Sequence, residues 1–277
     1  MQGNLALTPI TDADDPRIAD FKDIRERDLT GRQGRFIVEG TVVLRMLAAA
    51  HNAGRDFEAE SILILENRLV GVADILREFP SNIPIYVAKA SVLDTIVGFH
   101  LHRGILALGK RKSDPGIAIT LGRLPQSSLV LAGCGISNHD NLGAMFRNAA
   151  AFYADAVFLD STCCDPLYRK SLRVSVGSVL SVPYHRGGAA LQMLETLAAE
   201  GFDIWSLSPA GITEIRQIKA SNRMALVIGT EGDGLPSDVL SRFHTARISQ
   251  SSQLDSLNAA TAAALALYQM AGAMGRV

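Results

Sequence analysis

Short apolar runs alternate with helix-length stretches along the whole chain, and this alternation limits the possible folds more than any other feature. In the second half the runs lie at 129–131, 156–159, 204–207, 225–228 and 246–248 and are mostly continuous in apolar residues. A strand with no polar face must be covered on both sides, as in a parallel sheet. Helical stretches at 141–153, 166–179, 189–199, 236–243 and 256–274 separate these runs. In the first half, strands are expected at 36–38, 61–65, 83–87 and 104–108. Ile18, Phe21 and Ile24 recur there at helical spacing, and Thr41 reads as the N-cap of a helix through Ala50. Both halves are therefore expected to be α/β with a parallel sheet. Ligands of such sheets lie in the loops beyond the carboxyl ends of the strands, which directs the search for chemistry to the second-half loops.

The stretch from Lys110 to Gly116 concentrates charge, Pro and Gly, and Pro125 follows. It reads as a linker. The expected division is a first domain at 1–112, a linker at 113–126 and a second domain at 127–277. Lys and Arg total 27 against 28 Asp and Glu, a net charge of −1, which speaks against a DNA-coating protein. No uncharged apolar run approaches the ~18 residues of a membrane span, and the first residues lack the basic and apolar regions of a secretory signal. The three cysteines, Cys134, Cys163 and Cys164, contain no CxxC pair. No metal site is expected, and a reduced, cytoplasmic setting fits best.

Three motifs do not survive a closer reading. Gly104 to Lys110 fits GxxxxGK, but Arg111 stands where a phosphate loop needs Ser or Thr, and the residues between the glycines are apolar. Gly133-Cys134-Gly135 lacks the third glycine of a dinucleotide loop. His100 and His102 have no nearby ligand cluster and read as polar residues at a strand edge.

Three blocks of the second half remain. Asn138-His139-Asp140-Asn141-Leu142-Gly143 opens a helix that carries Arg147 and Asn148. Alone it reads as an N-cap at Asn141 and a surface arginine six residues on. Ile228-Gly229-Thr230-Glu231-Gly232-Asp233-Gly234-Leu235 is a strand running into a glycine loop, where the backbone can approach a ligand closely. Ile248-Ser249-Gln250 is followed by Asp255-Ser256-Leu257-Asn258, with Asp255 or Ser256 as the expected cap of the last helix. In this order, Asn-Leu-Gly-x-x-x-Arg-Asn, Ile-Gly-x-Glu-Gly-x-Gly-Leu and Ser-Leu-Asn resemble the SpoU-type (TrmH-like) RNA 2′-O-ribose methyltransferases of the SPOUT superfamily. Arg173-Val174-Ser175-Val176-Gly177-Ser178, with Pro183 after it, is similar to the same family, so the resemblance covers roughly 127–277. Phe36-Ile37-Val38-Glu39-Gly40 and His102-Arg103-Gly104-Ile105 resemble the ribosomal-protein-like RNA-binding domain that often precedes it.

The resemblance implies a parallel-sheet domain with a deep trefoil knot and a homodimer with the active site at its interface. It implies S-adenosyl-L-methionine as cofactor and RNA, either rRNA or tRNA, as partner, with no membrane and no DNA. By position, Leu207, Ser208, Gly229, Ile248 and Leu257 are the implied cofactor contacts. Asn141, Arg147, Glu231, Ser256 and Asn258 are the implied catalytic positions. The chain departs from the family at Ile248-Ser249-Gln250, where many members have Ile-Pro-Met. Two more departures are Ala259-Ala260 in place of a Val-Ser pair and His139-Asp140 in place of Pro-Gly.

Methyl transfer to a ribose hydroxyl is an in-line displacement that depends on alignment of the two reactants and on removal of a proton. A guanidinium holds its own proton in proteins. Arg147 is therefore expected to grip the substrate phosphate with two donors while helping to draw off the hydroxyl proton. Asn141 and Asn258 would orient the nucleotide and Arg147, and Glu231 would fix loops. The second domain has 11 basic and 12 acidic residues, so shape rather than a broad positive field must select the RNA. Candidate basic groups are Arg25, Arg27, Arg32 and Arg35 in the first domain, and Arg169, Lys170 and Arg173 in the second. The final helix is apolar nearly all round, which points to burial in a homodimer. A catalytically silent RNA-binding paralogue is the alternative reading.

Overall fold

A computed structural model describes residues 5–22, 34–54, 56–92, 104–112, 114–251, 253 and 255–277. Ile24, Arg25, Arg27, Arg32, His100, His102, Arg103 and Leu254 lie outside the described residues. The chain forms two units, Met1–Asp114 with Leu167–Ser181, and Pro115–Pro166 with Val182–Val277.

The first unit carries β1 (Leu7–Ile10), β2 (Arg35–Glu39), α1 (Thr41–Asn52), β3 (Phe57–Leu65), α2 (Leu69–Leu76), β4 (Ile85–Ala88) and β5 (Ile105–Arg111). Its sheet runs β1-β4-β3-β5-β2. This corrects the expectation of an all-parallel sheet: β4 is parallel to β1 and β3, but β5 is antiparallel to both β2 and β3. Strand–helix alternation does not set the direction of a strand that enters the middle of a sheet, and β5 does so. The glycine of the rejected phosphate-loop motif has a packing role here. Gly109 pairs with Phe36 across the sheet, and a Cβ on Gly109 would lie 2.4 Å from the Phe36 ring. The N-cap of α1 is Gly40 rather than Thr41, because the chain turns there at φ 88°, which a glycine adopts without strain. The stretch expected as one helix at 166–179 is shorter, Arg169–Val174, followed by the 3-10 turn Ser178–Leu180. Gly177, at φ 83°, breaks it, and a Cβ there would stand 2.7 Å from Met46 of α1.

The second unit begins with α3 (Gly116–Gly122), inside the stretch expected as a linker. Then come β6 (Ser128–Gly133), α4 (His139–Ala151), β7 (Ala156–Leu159), β8 (Tyr184–Arg186), α5 (Ala190–Ala199), β9 (Asp203–Leu207), β10 (Thr213–Glu214), β11 (Arg223–Ile228), α6 (Ser237–Arg242), β12 (His244–Arg247) and α7 (Ala259–Ala273). These strands form one parallel sheet in the order β10-β12-β9-β11-β6-β7-β8. The late strand β11 fills the slot between β9 and β6, and its register places Arg223 opposite Ser128 and Ile228 opposite Gly133.

Every residue of β6 and β7 is buried, as strands covered on both faces must be. One face packs Val130, Ala132, Phe158 and Val227 against Leu194 and Leu197 of α5 and Val239 of α6. Leu142, Met145 and Phe146 of α4 and Ala263, Leu267 and Met270 of α7 are also buried, and Asn148 Nδ2 donates to the Ala260 carbonyl at 2.9 Å to join the two helices. The last helix is thus largely covered within its own unit. Leu265 and Tyr268 remain 47% and 58% exposed on its outer side.

Candidate active site

The loops leaving β9, β11 and β12 at their carboxyl ends enclose a pocket of about 280 Å³. This is near the lower end of the ~300–1,000 Å³ range of small-molecule sites. One wall is Leu207, Ser208 and Pro209 after β9, and another is the loop from Gly229 to Leu235 after β11. Ile248 and Gln250 after β12, with Asp255, Ser256 and Leu257, complete it.

Glycine makes the middle wall possible. A Cβ on Gly229 would lie 2.4–2.6 Å from the backbone of Gly234 and Leu235, so the loop folds back on itself at van der Waals limit. The Thr230 N–H donates to the Gly234 carbonyl at 3.1 Å and closes the loop, with Gly234 at φ 71°. A Cβ on Gly135, in the loop before α4, would come within 2.7 Å of the Thr230 methyl, so that loop packs directly behind the pocket. The first and third walls are tied together: Ser208 N–H donates to the Ala246 carbonyl at 2.9 Å, and Gly211 N–H returns to the Ser208 carbonyl at 2.9 Å.

Of the residues singled out from sequence, Leu207, Ser208, Gly229, Glu231, Ile248, Ser256 and Leu257 all line this pocket. Asn141 and Asn258 stand beside it as a pair, with Asn258 Nδ2 donating to Asn141 Oδ1 at 2.9 Å. Two caps differ from expectation. Asn138, not Asn141, caps α4, accepting from Asp140 N–H at 2.8 Å, and Asn141 lies inside the helix, 7% exposed. Asn258, not Asp255 or Ser256, caps α7, with its Oδ1 accepting from Ala260 N–H at 3.0 Å and Thr261 N–H at 3.1 Å. One amide therefore both starts α7 and holds the buried Asn141.

Arg147 is not brought into the pocket lining. It lies six residues beyond Asn141, about 9 Å further along α4, on the exposed side of the helix, and among the described residues nothing bonds to its guanidinium. Sequence reasoning missed Pro209, Leu235, Leu240 and Gln250 as lining residues. Leu235 and Leu240 were legible only as helix-flanking apolar positions, and nothing in the sequence marked Gln250 as facing a cavity.

The charged lining groups, Glu231, Asp233 and Asp255, are all acidic. Beside the pocket, Glu214 accepts a hydrogen bond from the Ser249 hydroxyl, which holds its carboxyl below the usual range. The cysteines are unsuited to act as nucleophiles. Burial pushes the Cys134 thiol up to about 12 and Cys164 to about 11, and raises Cys163 as well. Among the described residues no group of three His, Cys, Asp or Glu side chains is placed to hold a metal ion, and no helix is long and apolar enough to cross a membrane.

Residues 128–268 match the SpoU rRNA methylase family. The chain belongs to this family. A relative named as an uncharacterized tRNA/rRNA methyltransferase of Mycobacterium tuberculosis is 36% identical over 274 residues, covering 96% of this chain and 92% of its own. A similarly named protein of Synechocystis is 25% identical over 269 residues, covering 95% and 93%. Among solved structures, an AdoMet-bound rRNA methyltransferase from Sinorhizobium meliloti superposes with a TM-score of 0.79 at 22% identity, over 95% of this chain and 97% of that one. An RNA 2′-O ribose methyltransferase superposes with a TM-score of 0.76 at 25% identity, over 96% and 99%. The SpoU match contains all three pocket loops and both asparagines of the pair.

Proposed function

We propose that this SpoU protein is an S-adenosylmethionine-dependent RNA ribose 2′-O-methyltransferase that acts on rRNA or tRNA as a homodimer in the cytoplasm. The observation that carries the reading is the pocket at the carboxyl ends of β9, β11 and β12, lined by all five residues implied as cofactor contacts. The residues present suit the cofactor. Leu207, Ile228, Leu235, Ile248 and Leu257 offer apolar walls for a purine, and the glycine loop exposes backbone groups to hydrogen-bond it. The acidic groups at the rim are opposite in sign to a sulfonium. When bound, S-adenosylmethionine supplies an electrophilic methyl group.

The remaining work belongs to the chain. Asn258 orients Asn141 and the entrance to the loop carrying Ser256. Glu231, at the tip of the glycine loop, fixes the rim. Arg147, exposed and unengaged among the described residues, is available to grip an RNA phosphate with two donors and to assist removal of the ribose proton. Because Arg147 stands outside the pocket lining of its own chain, the reading places the complete site where a second copy packs. The partly exposed Leu265 and Tyr268, with Phe152 stacked edge-on to Tyr268 at 5.6 Å, supply an apolar patch for that contact. The first unit, with Arg35 and the exposed Lys170 and Arg173, serves as the RNA reader. The deep trefoil knot of the SPOUT superfamily in 127–277 is part of the same proposal.

Alkali tests the assignment. It cleaves RNA through attack of the 2′-oxygen on the adjacent phosphate, and a methylated oxygen cannot attack. Methyl label from the cofactor should appear in alkali-resistant dinucleotides after incubation with unmodified rRNA or tRNA. Label confined to mononucleotides would place the methyl on a base and overturn the 2′-O assignment. Cofactor binding with no label in any RNA would favour the silent paralogue.

A further inference from the structure

We infer that Glu214 is a positioning residue for the cofactor pocket and that it acts through Ser249. The inference rests on the methyltransferase reading for the identity of the ligand, and on geometry for the link itself. Ser249 stands between Ile248 and Gln250, both of which line the pocket. Glu214 lies on the two-residue strand β10 and is paired in register with Arg247 of β12. Its carboxylate takes hold of Ser249 at two points: Oε2 accepts from the hydroxyl, and Oε1 accepts from the backbone N–H at 3.3 Å. The carboxylate side chain is 12% exposed, while Ser249 itself lies at the surface, so the link is partly open to water.

A second arm closes the circuit. Arg247 Nε stands 3.8 Å from Glu214 Oε2, and Arg247 Nη1 donates to the carbonyls of Gly211 at 2.8 Å and Ile212 at 3.1 Å. Gly211 in turn is bonded to Ser208, a residue of the opposite wall, and a Cβ on Gly211 would sit 2.3 Å from the Ala246 carbonyl. The wall at 207–209 and the wall at 248–250 are thus joined behind the pocket by one carboxylate and one guanidinium. The need for such a link follows from the chain that comes next. Among the described residues no helix or strand lies between β12 and α7, so Ile248 has no ladder neighbour there, and Gln250 Nε2 donates locally to the Asp255 carbonyl at 3.2 Å. Two hydrogen bonds to a fixed carboxylate pin Ser249, which stands between them, and the charge on the acceptor strengthens both.

The test is a double-mutant cycle on the full-length protein, with S-adenosylmethionine affinity read by calorimetry. Glu214→Gln and Ser249→Ala should each weaken binding about tenfold, in line with one charge-assisted hydrogen bond at a partly exposed site. The double variant should bind no worse than the weaker single variant, because both changes cut the same link. Ser249→Thr keeps the hydroxyl and should restore near-normal affinity. At saturating cofactor, kcat should stay near the parent value while KM for the cofactor rises. Hydrogen exchange of the ligand-free protein adds a readout independent of the ligand: Ser249 and Gln250 amides should exchange faster in Glu214→Gln, while amides of β6 and β11 do not change. Unchanged affinity in both single variants, or additive losses in the double, would overturn the inference. Faster exchange confined to 249–250, in a protein whose parent form does not bind S-adenosylmethionine, would uphold the link and overturn the methyltransferase reading.

Discussion

Gly229→Ala places a single methyl group where the pocket has no room. The new Cβ would lie 2.4 Å from the Gly234 carbonyl carbon, 2.5 Å from its oxygen and 2.6 Å from the Leu235 nitrogen. Ordinary contact begins near 3.4 Å, so the two backbone segments must separate by roughly 1 Å. Backbone cannot swing aside as a flexible side chain can, and overpacking of this kind costs about 1–3 kcal/mol. Separation also lengthens the hydrogen bond from Thr230 N–H to Gly234, worth about 1 kcal/mol. A loss of about 2–4 kcal/mol should lower the melting transition of the second unit by about 5–15 °C at 2–4 °C per kcal/mol. If the loop is instead forced open only in the bound state, the same energy appears as a 30- to 1,000-fold loss of cofactor affinity, at about 1.4 kcal/mol per decade. Gly232→Ala is the control, because a Cβ there meets nothing within 4 Å. Scanning calorimetry and titration calorimetry on both variants decide the matter. Gly229→Ala with the parent melting temperature and a Kd within twofold would refute the argument that this loop is closed by steric necessity.

Asn258→Ala removes the α7 cap, worth about 1–2 kcal/mol, and strips buried Asn141 of its donor, a further cost of about 1–3 kcal/mol. Urea unfolding should show the sum, whereas Asn258→Asp, which keeps the cap acceptor, should lose mainly the second part. Arg147→Ala should leave melting temperature and cofactor affinity within a few-fold of the parent and abolish methyl transfer, and Arg147→Lys should also be poor because an ammonium cannot make the two-pronged contact. The raised Cys164 and Cys134 thiols bind protons in the folded chain that the unfolded chain has already released. Their contribution is fully present below the ordinary thiol range and is lost as pH rises towards about 11 and then about 12. The urea midpoint should therefore fall from about pH 9 upward, and Cys164→Ser should flatten the first part of the fall.

Central strands were the most legible part of the fold. Leu129 to Ala132, Ala156 to Leu159 and Ala225 to Ile228 are buried on both faces, so burial alone dictated their composition. The edges were not legible for the converse reason. Tyr184–Arg186 and Thr213–Glu214 are two or three residues long, carry polar side chains and depend on neighbours for their strand geometry. In the first unit the apolar runs were visible, but strand direction depends on the path of the connections and leaves no trace in periodicity. At the site, residues with a steric or backbone role, such as Gly229, could be read because their chemistry has few substitutes. Asn138 and Asn141 are both competent caps three residues apart, and only the packing of α4 decides between them. Glu214 acts through Ser249, a partner 35 residues away in sequence, which no local pattern reports.

The position of β11 in the sheet governs when the protein can fold. The strand pairs with β6, which precedes it by 95 residues, and with β9 on its other side. Synthesis at about 5–20 residues per second leaves β6 without that neighbour for roughly 5–20 s. During that interval one edge of a strand that is entirely buried in the finished fold is unpaired. Non-local parallel pairing of this kind forms slowly and carries an aggregation hazard. The last third of the chain also supplies every lining residue of the pocket, from Leu207 to Ala262. A nascent or truncated chain ending before β11 therefore has a half-built sheet and no ligand site at all. Stability and ligand binding arrive together, only once β11 and the segment through Ala262 have been made, so cofactor added during refolding would act on a late step and leave the early collapse unchanged.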